Sequence, residues 1–242
     1  MIKIVDLYKS FNGKPVLKGI NLEIRDGETL VILGMSGTGK SVLLKHIMRL
    51  FKPDRGEIYI DGIEVTGLPK KKVYEIRKLF GYVFQEPALF DSMTVYENVA
   101  LPLKEHGLPV EEIEKKVGWA LQMVALDGVE DKFPDELSGG MRKRVGVARA
   151  IVQMPKYLIY DEPTTGLDPV TADRINDLMI FLNDELKITS IVVTHDIRSA
   201  LKIADRLVLM HEGKIVVDTP VEKIREAEHP VLKEFLKTVE GA

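Results

Sequence analysis

"TLVILGMSGTGKSVLLKHIMRLF" (residues 29–51) runs from an apolar stretch, through a cluster of Gly, Ser and Thr around one lysine, into a segment with apolar residues at helical spacing. The run Leu30, Val31, Ile32, Leu33 is apolar on both faces, as a buried parallel strand requires. From Lys40 the 3.6-residue period predicts a helix that ends by Pro53 in "PDRGE". Between strand and helix, Gly34, Gly39, Lys40 and Ser41 satisfy G-x-x-x-x-G-K-[ST]. Glycines there let backbone amides approach phosphate oxygens, and the helix N-terminus adds a favourable dipole. Lys40 contributes a point charge and Ser41 a hydroxyl for magnesium. The competing reading is a flexible Gly-Ser turn; the strand before it and the helix after it favour the phosphate cradle.

The rest of the 242-residue chain alternates in the same way. "IKIVDLY" and "INLEI" read as strands, and "GEIYIDGIEV" reads as a hairpin turning at Asp61-Gly62. Between about residues 92 and 152 the pattern becomes helical, with "VEEIEKKVGWALQMVAL" amphipathic. Strand signals return in "KYLIYDEP", "TSIVVTHD" and "RLVLMHEGKIV", with the helical "DPVTADRINDLMIFLNDEL" between the first two. Strands alternating with helices imply a doubly wound parallel sheet.

Composition narrows the partners. Apolar residues make up 45%, enough for one large α/β domain or a core with an inserted subdomain. Lys plus Arg total 34 against 37 for Asp plus Glu, a net charge of -3, so no global field favours nucleic acid. The absence of cysteine removes disulfides and thiolate chemistry. No apolar run approaches the roughly 18 residues of a membrane span, and "MIKIVDLYKSFNGK" lacks a secretory pattern. These features imply a cytoplasmic protein that can dock on a membrane partner.

A phosphate cradle needs a carboxylate to help hold magnesium, and "YLIYDE" delivers one at a strand end. Asp161 is placed to coordinate the ion through water, and Glu162 to face the γ-phosphate and polarise an attacking water. An isolated Asp-Glu pair is more often a solvated loop start, but the buried strand sets this pair at the ligand-binding edge of a parallel sheet. "IVVTHD" brings His195 to such an edge, where it could bond the γ-phosphate and hold Glu162. His46, His106, His211 and His229 carry no such context and read as structural. In "DELSGGMRKRVGVARAI", Ser138, Gly139 and Gly140 open a helix, either as a second anion site or as an N-cap and turn.

Together these stretches resemble the ATP-binding cassette (ABC) family over nearly the whole chain. "GMSGTGKS" matches its Walker A motif, "YVFQEP" its Q-loop at Gln85, "LSGGM" its signature, "YLIYDE" its Walker B, "TGLD" its D-loop at Asp168, and His195 its H-loop. The resemblance implies an α/β P-loop NTPase with a RecA-like parallel-sheet core, an N-terminal antiparallel β subdomain and an inserted α-helical subdomain. It places one ABC ATPase domain at residues 1–225, with the β subdomain at roughly 1–30 and 56–82, the helical subdomain at roughly 90–152, and a helical tail at 226–242.

The family implies ATP and Mg2+ as cofactors. Catalytic roles fall to Glu162, His195, Gln85 and Lys40, and metal ligation to Ser41, Gln85 and Asp161. Nucleotide contacts fall to Phe11 as the adenine-stacking aromatic, to Gly34, Met35, Ser36, Gly37, Thr38, Gly39, Lys40 and Ser41, and to Ser138, Gly139, Gly140 and Asp168. Tyr8 is a weaker candidate than Phe11, which alternatively belongs to the core. The family implies a head-to-tail homodimer with two ATP molecules between the chains. Met141 departs from the glutamine usual after "LSGG", at the face that meets the other chain.

"KSVLLKHI", "PALFDSMTVYENVALPLKEH" and "LSGGMRKRV" are similar to the ATPase subunit of Mla-type (Mkl-type) lipid transporters. That implies an integral membrane permease with lipid-binding subunits, contacted from the cytoplasmic face of the inner membrane, and no nucleic acid. A small-solute transporter, for amino acids among others, is the alternative; a soluble non-transport ATPase or a non-hydrolysing module fits less well.

Overall fold

The computed structural model describes residues 1–105 and 107–240, so the reading of His106 lies outside the described residues. Along the chain run β1 (Ile2–Phe11), β2 (Lys14–Ile24), β3 (Thr29–Leu33), α1 (Lys40–Ile47), β4 (Arg55–Ile60), β5 (Ile63–Glu64) and α2 (Lys70–Arg77). Next come β6 (Phe80–Val83), α3 (Val95–Glu105), α4 (Val110–Met123), α5 (Gly139–Ile151), β7 (Tyr157–Asp161) and α6 (Pro169–Leu186). The chain closes with β8 (Thr189–Thr194), α7 (Ile197–Ile203), β9 (Arg206–His211), β10 (Lys214–Pro220) and α8 (Pro230–Glu240). They form two compact units, Met1–Arg77 with Thr189–Ala242, and Lys78–Ile188.

The first unit holds an antiparallel sheet in the order β2-β1-β4-β5. Its hairpins turn at Asn12-Gly13 and Asp61-Gly62, where both residues of each pair have positive φ, the geometry that matches strand twist in a two-residue turn. The same unit pairs β3 in parallel with β8 and β9. Every residue of β3 is buried, as its uniformly apolar sequence requires. Arg206 secures this sheet near Glu28 (2.7 Å) and Asp218 (2.7 Å), and Asp205 accepts the Thr29 N–H at 2.7 Å.

"RLVLMHEGKIV" reads as one strand but forms two. β9 and β10 pair antiparallel around Glu212-Gly213, both at positive φ. A glutamate before the glycine, rather than Asn or Asp, hides that turn. Helix α2 is a further addition: its charged "KKKVYEIR" buries only Val73 and Ile76, too few to show a period.

In the second unit β6 pairs in parallel with β7. The antiparallel β subdomain expected to reach residue 82 therefore has its last antiparallel pairing at Glu64, and Phe80–Val83 joins a parallel ladder. β6 is largely buried, which suits parallel pairing better than a half-wet sheet. Helices α3, α4 and α5 pack on one another, and Val99 and Leu103, Val117 and Leu121, and Val145 and Ile151 of the three are all buried. Each such side chain contributes about 1.5–3 kcal/mol on leaving water. In the first unit the tail helix α8 buries Leu232 and Phe235.

Candidate functional site

In the first unit the glycine-rich loop leaves the C-terminal end of β3, whose Leu33 is in register with Thr194 of β8. Gly34 N–H donates to the Thr194 carbonyl (3.3 Å), and His195 is the next residue, so the loop and His195 share one sheet edge. His195 is exposed there. A Cβ on Gly34 would stand 2.5 Å from the Met210 carbonyl oxygen, so only glycine fits without displacement. Gly37 (φ 80°) and Gly39 (φ 103°) take left-handed conformations that bend the loop around its centre.

Met35, Ser36 and Gly37 are exposed, Thr38 is half-buried, and the Thr38 hydroxyl donates to the Met35 carbonyl at 3.0 Å. Buried Lys40 folds back over the loop, its Nζ donating to the carbonyls of Gly34 (2.7 Å) and Met35 (3.0 Å). Ser41 follows in the first turn of α1.

In the second unit Val83 of β6 is in register with Tyr160 of β7, so Gln85 and the pair Asp161 and Glu162 leave a common edge. The Tyr82 hydroxyl donates to Asp161 Oδ2 at 2.8 Å; burial beside this carboxylate pushes the Tyr82 pKa up, keeping the phenol protonated as donor. Glu162 is 9% exposed and turns the backbone at φ 51°, an unusual conformation for a residue with a side chain. Its Oε2 accepts from the Thr165 hydroxyl at 3.2 Å.

Gln85 is exposed, and its backbone carbonyl accepts from the Nζ of Lys143 on α5. Lys143 is buried, which lowers its pKa, while Glu86 and Glu162 oppose that shift. Arg149 donates to the carbonyls of Pro87 (2.7 Å) and Ala88 (2.8 Å). Asn98 is fully buried and donates to Phe90, Met93 and Thr94 carbonyls at 3.0–3.1 Å while accepting from Phe90 N–H at 2.8 Å. Phe84 and Phe90 are left exposed.

Still in this unit, Ser138, Gly139, Gly140 and Asp168 line one cavity of about 280 Å³ together with Arg144 and Arg174. Ser138 is the N-cap of α5, its Oγ accepting the Met141 N–H at 3.3 Å. Asp168 caps α6, accepting from Val170 and Thr171 N–H at 3.0 Å. Hydrogen bonds from Thr171 hold its carboxyl below the usual carboxylate range.

Phe11 ends β1 at 37% exposure, which is not a core position. Tyr8 is equally exposed and lies under the Arg55 guanidinium at 5.4 Å. His46 is buried with its Nδ1 2.7 Å from the Val42 carbonyl, and His211 meets His229 edge to face at 6.2 Å.

Residues 17–165 match the family model described as ABC transporter. The chain belongs to the ABC transporter family. It is 43% identical over 236 residues to the Mycobacterium leprae "Probable ribonucleotide transport ATP-binding protein mkl", covering 97% of this chain and 68% of that one. It is 42% identical over 243 residues to the methionine import ATP-binding protein MetN of Carboxydothermus hydrogenoformans, covering 99% and 72%. It thus spans about two thirds of the length of the mkl relatives, 68% and 66% for those of M. leprae and M. bovis.

Among solved structures, cbiO1 of Clostridium perfringens, part of the cbiONQ ABC transporter complex, has 35% identity and a TM-score of 0.88, covering 97% of this chain and 94% of its own. The cassette MJ0796, in a dimeric post-hydrolysis state bound to ADP and Pi, has 35% identity and a TM-score of 0.82, covering 91% and 99%. The fold is therefore that of an ABC ATPase cassette.

ATP and Mg2+ are the cofactors of this family, and the residues suit them. The loop around Gly37 has open space where a Cβ would stand, as a cradle for phosphate needs. The metal donors expected from the sequence, Ser41, Gln85 and Asp161, are all oxygen ligands, the chemistry a hard cation prefers. Sequence reasoning passed over Tyr82, Asn98, Lys143 and Arg149, whose types carry no motif; Tyr82, Lys143 and Arg149 find partners far away along the chain, whereas Asn98 bonds residues just before its own helix.

Proposed function

We propose that this chain hydrolyses ATP between two copies of itself and so drives a membrane permease. The observation that carries the reading is Glu162: buried, held by Thr165, and next to Asp161, which Tyr82 anchors at the end of β7. Glu162 accepts a proton from water as the water oxygen attacks the γ-phosphorus, and the β–γ bridging oxygen leaves with ADP. Lys40, the amides of residues 34–41 and His195 stabilise the charge on the transferred group. Ser41, Gln85 and Asp161 would hold Mg2+, which when bound would supply charge neutralisation at the phosphates. Ser138, Gly139, Gly140 and Asp168 receive the γ-phosphate side of ATP held by the second copy, and Phe11 stacks on adenine.

Replacing Glu162 by Gln tests this. Turnover should fall at least about a hundredfold (near 3 kcal/mol of barrier), and ATP should trap a stable dimer. Normal hydrolysis, or no trapped dimer, overturns the assignment.

The permease contact is assigned to the segment around Gln85, where Phe84 and Phe90 are exposed on a loop fixed by Asn98. Among the described residues no helix is long and apolar enough to cross a membrane. Likeness to transporter ATPases supports a peripheral subunit on the cytoplasmic face. The cargo reading is lipid, by likeness of "ALFDSMTVYENV" to Mla-type ATPases. A small-solute transporter is the second reading, favoured by the MetN relative at 42% identity. Recovery of the permease decides between them: co-purification with a lipid-binding subunit supports the first, and a solute-specific permease the second.

A further inference from the structure

Phe11 sits beside the hairpin turn at Asn12-Gly13, where an aromatic ring could be expected to swing freely with both faces wet. Its surroundings prevent this. The Lys9 ammonium lies over the ring, 5.4 Å from its centroid, within cation–π range. That ammonium is itself pinned, donating to the Lys52 carbonyl (2.9 Å) and to Asp54 Oδ1 (2.8 Å), while Asp54 Oδ2 accepts the Ser10 N–H (2.6 Å). One face of Phe11 is therefore taken.

Phe51 meets the ring edge to face, with centroids 5.5 Å apart and planes at 65°. Phe51 is held in turn by the edge of buried His46 (5.8 Å) and by the Lys45 ammonium over its ring (5.6 Å). The Phe51 N–H donates to the Lys45 carbonyl at 3.1 Å. His46 is locked to α1 through the Val42 carbonyl. The helix that starts with Lys40 and Ser41 thus ends in Lys45 and His46, which hold the Phe51 that braces Phe11.

We propose that Lys9 and Phe51 are positioning residues for the nucleotide base: they fix the plane of Phe11 and leave one face of its ring for a purine to stack on. This rests on the reading of Phe11 as the adenine-stacking residue. Through α1, one rigid element holds both the phosphate cradle and the brace of the base platform, so the two ends of the nucleotide are placed together.

The test is calorimetric binding of ATP and of inorganic tripolyphosphate to the full chain, for wild type, Phe51→Leu, Lys9→Met, Lys9→Arg and Phe11→Ala. Phe51→Leu and Lys9→Met should each weaken ATP roughly three- to tenfold, the range of one aromatic contact, with tripolyphosphate binding unchanged. Lys9→Arg should restore ATP affinity. If ATP and tripolyphosphate weaken together, the two residues act only as scaffold and the proposal fails. If Phe11→Ala weakens ATP alone while neither Phe51→Leu nor Lys9→Met does, positioning is refuted but the base reading survives. If Phe11→Ala leaves the ATP-to-tripolyphosphate ratio unchanged, the base reading falls and the proposal with it.

Discussion

Two loops leave the C-terminal ends of parallel strands in this chain, and they keep their shapes by different means. Residues 34–41, after β3, are shaped from within: Gly37 and Gly39 supply left-handed turns and Gly34 packs where no side chain fits. Residues 84–94, after β6, contain no glycine and are held from outside, by Lys143 and Arg149 of α5 and Asn98 of α3. A loop encoded in its own backbone keeps one geometry whatever its neighbours do. A loop hung from side chains of two helices follows those helices, which suits a segment assigned to a permease contact.

The contrast breaks most sharply at Gly34. Gly34→Val puts branched carbon against the Met210 carbonyl, already only 2.5 Å from a Cβ, so the backbone itself must move. Nucleotide binding should be lost, measured with a fluorescent ATP analogue, while the loop at 84–94 keeps its protease resistance. Binding within about twofold of wild type, under 0.5 kcal/mol, would show that the cradle is not shaped by its own glycines.

The matching break in the other loop is Asn98→Ala. It leaves the part-buried Phe90 N–H and the carbonyls of Met93 and Thr94 without that side chain, a cost of about 1–3 kcal/mol. Urea unfolding should show that loss, with nucleotide affinity preserved. Equal loss of affinity would mean that the two loops are not independently built.

This difference also explains what could be read in advance. The cradle, Asp161 with Glu162, and His195 all stand where an apolar run stops at a polar residue, and a strand end is visible in sequence. The parallel registers of Leu33 with Thr194 and Val83 with Tyr160 then place them at sheet edges. Asn98, Lys143 and Arg149 look like ordinary polar positions on amphipathic helices, and Lys143 finds its partner 58 residues away. No local rule encodes such a pairing. The β9–β10 turn and helix α2 escaped for the opposite reason: their local signals are weak, and tertiary packing decides them.

Lys143 sharpens the comparison from the chemical side, since it braces the Gln85 carbonyl and faces Glu86 and Glu162. Lys143→Met keeps the buried stem and removes the charge. Turnover should fall about tenfold, 1.4 kcal/mol of barrier, with the KM for ATP unchanged, because the cradle is untouched. A raised KM with unchanged kcat would place Lys143 in binding instead.

The smallest effect belongs to His46, at the end of the helix that the cradle begins. Burial lowers its pKa below the ordinary 6.5, and the Lys9 charge acts in the same direction, whereas Asp54 and the carbonyls of Val42 and Lys52 oppose it. The native state therefore binds a proton at His46 less readily than the unfolded chain does. Stability should be full above pH 6.5 and decline as pH falls through that value, by at most about 1.4 kcal/mol per pH unit from this residue. The decline ends once the folded state is protonated too.

His46→Leu removes the titration, so the difference in urea stability between wild type and variant should shift in favour of the variant from pH 7.5 to 5.5. Residues 84–94 contain no histidine, so the acid loss should be read first on the cradle side, as weakened ATP binding in the wild type that His46→Leu resists. A pH-independent difference between the two proteins would mean that His46 is equally protonated folded and unfolded, and that burial does not control it.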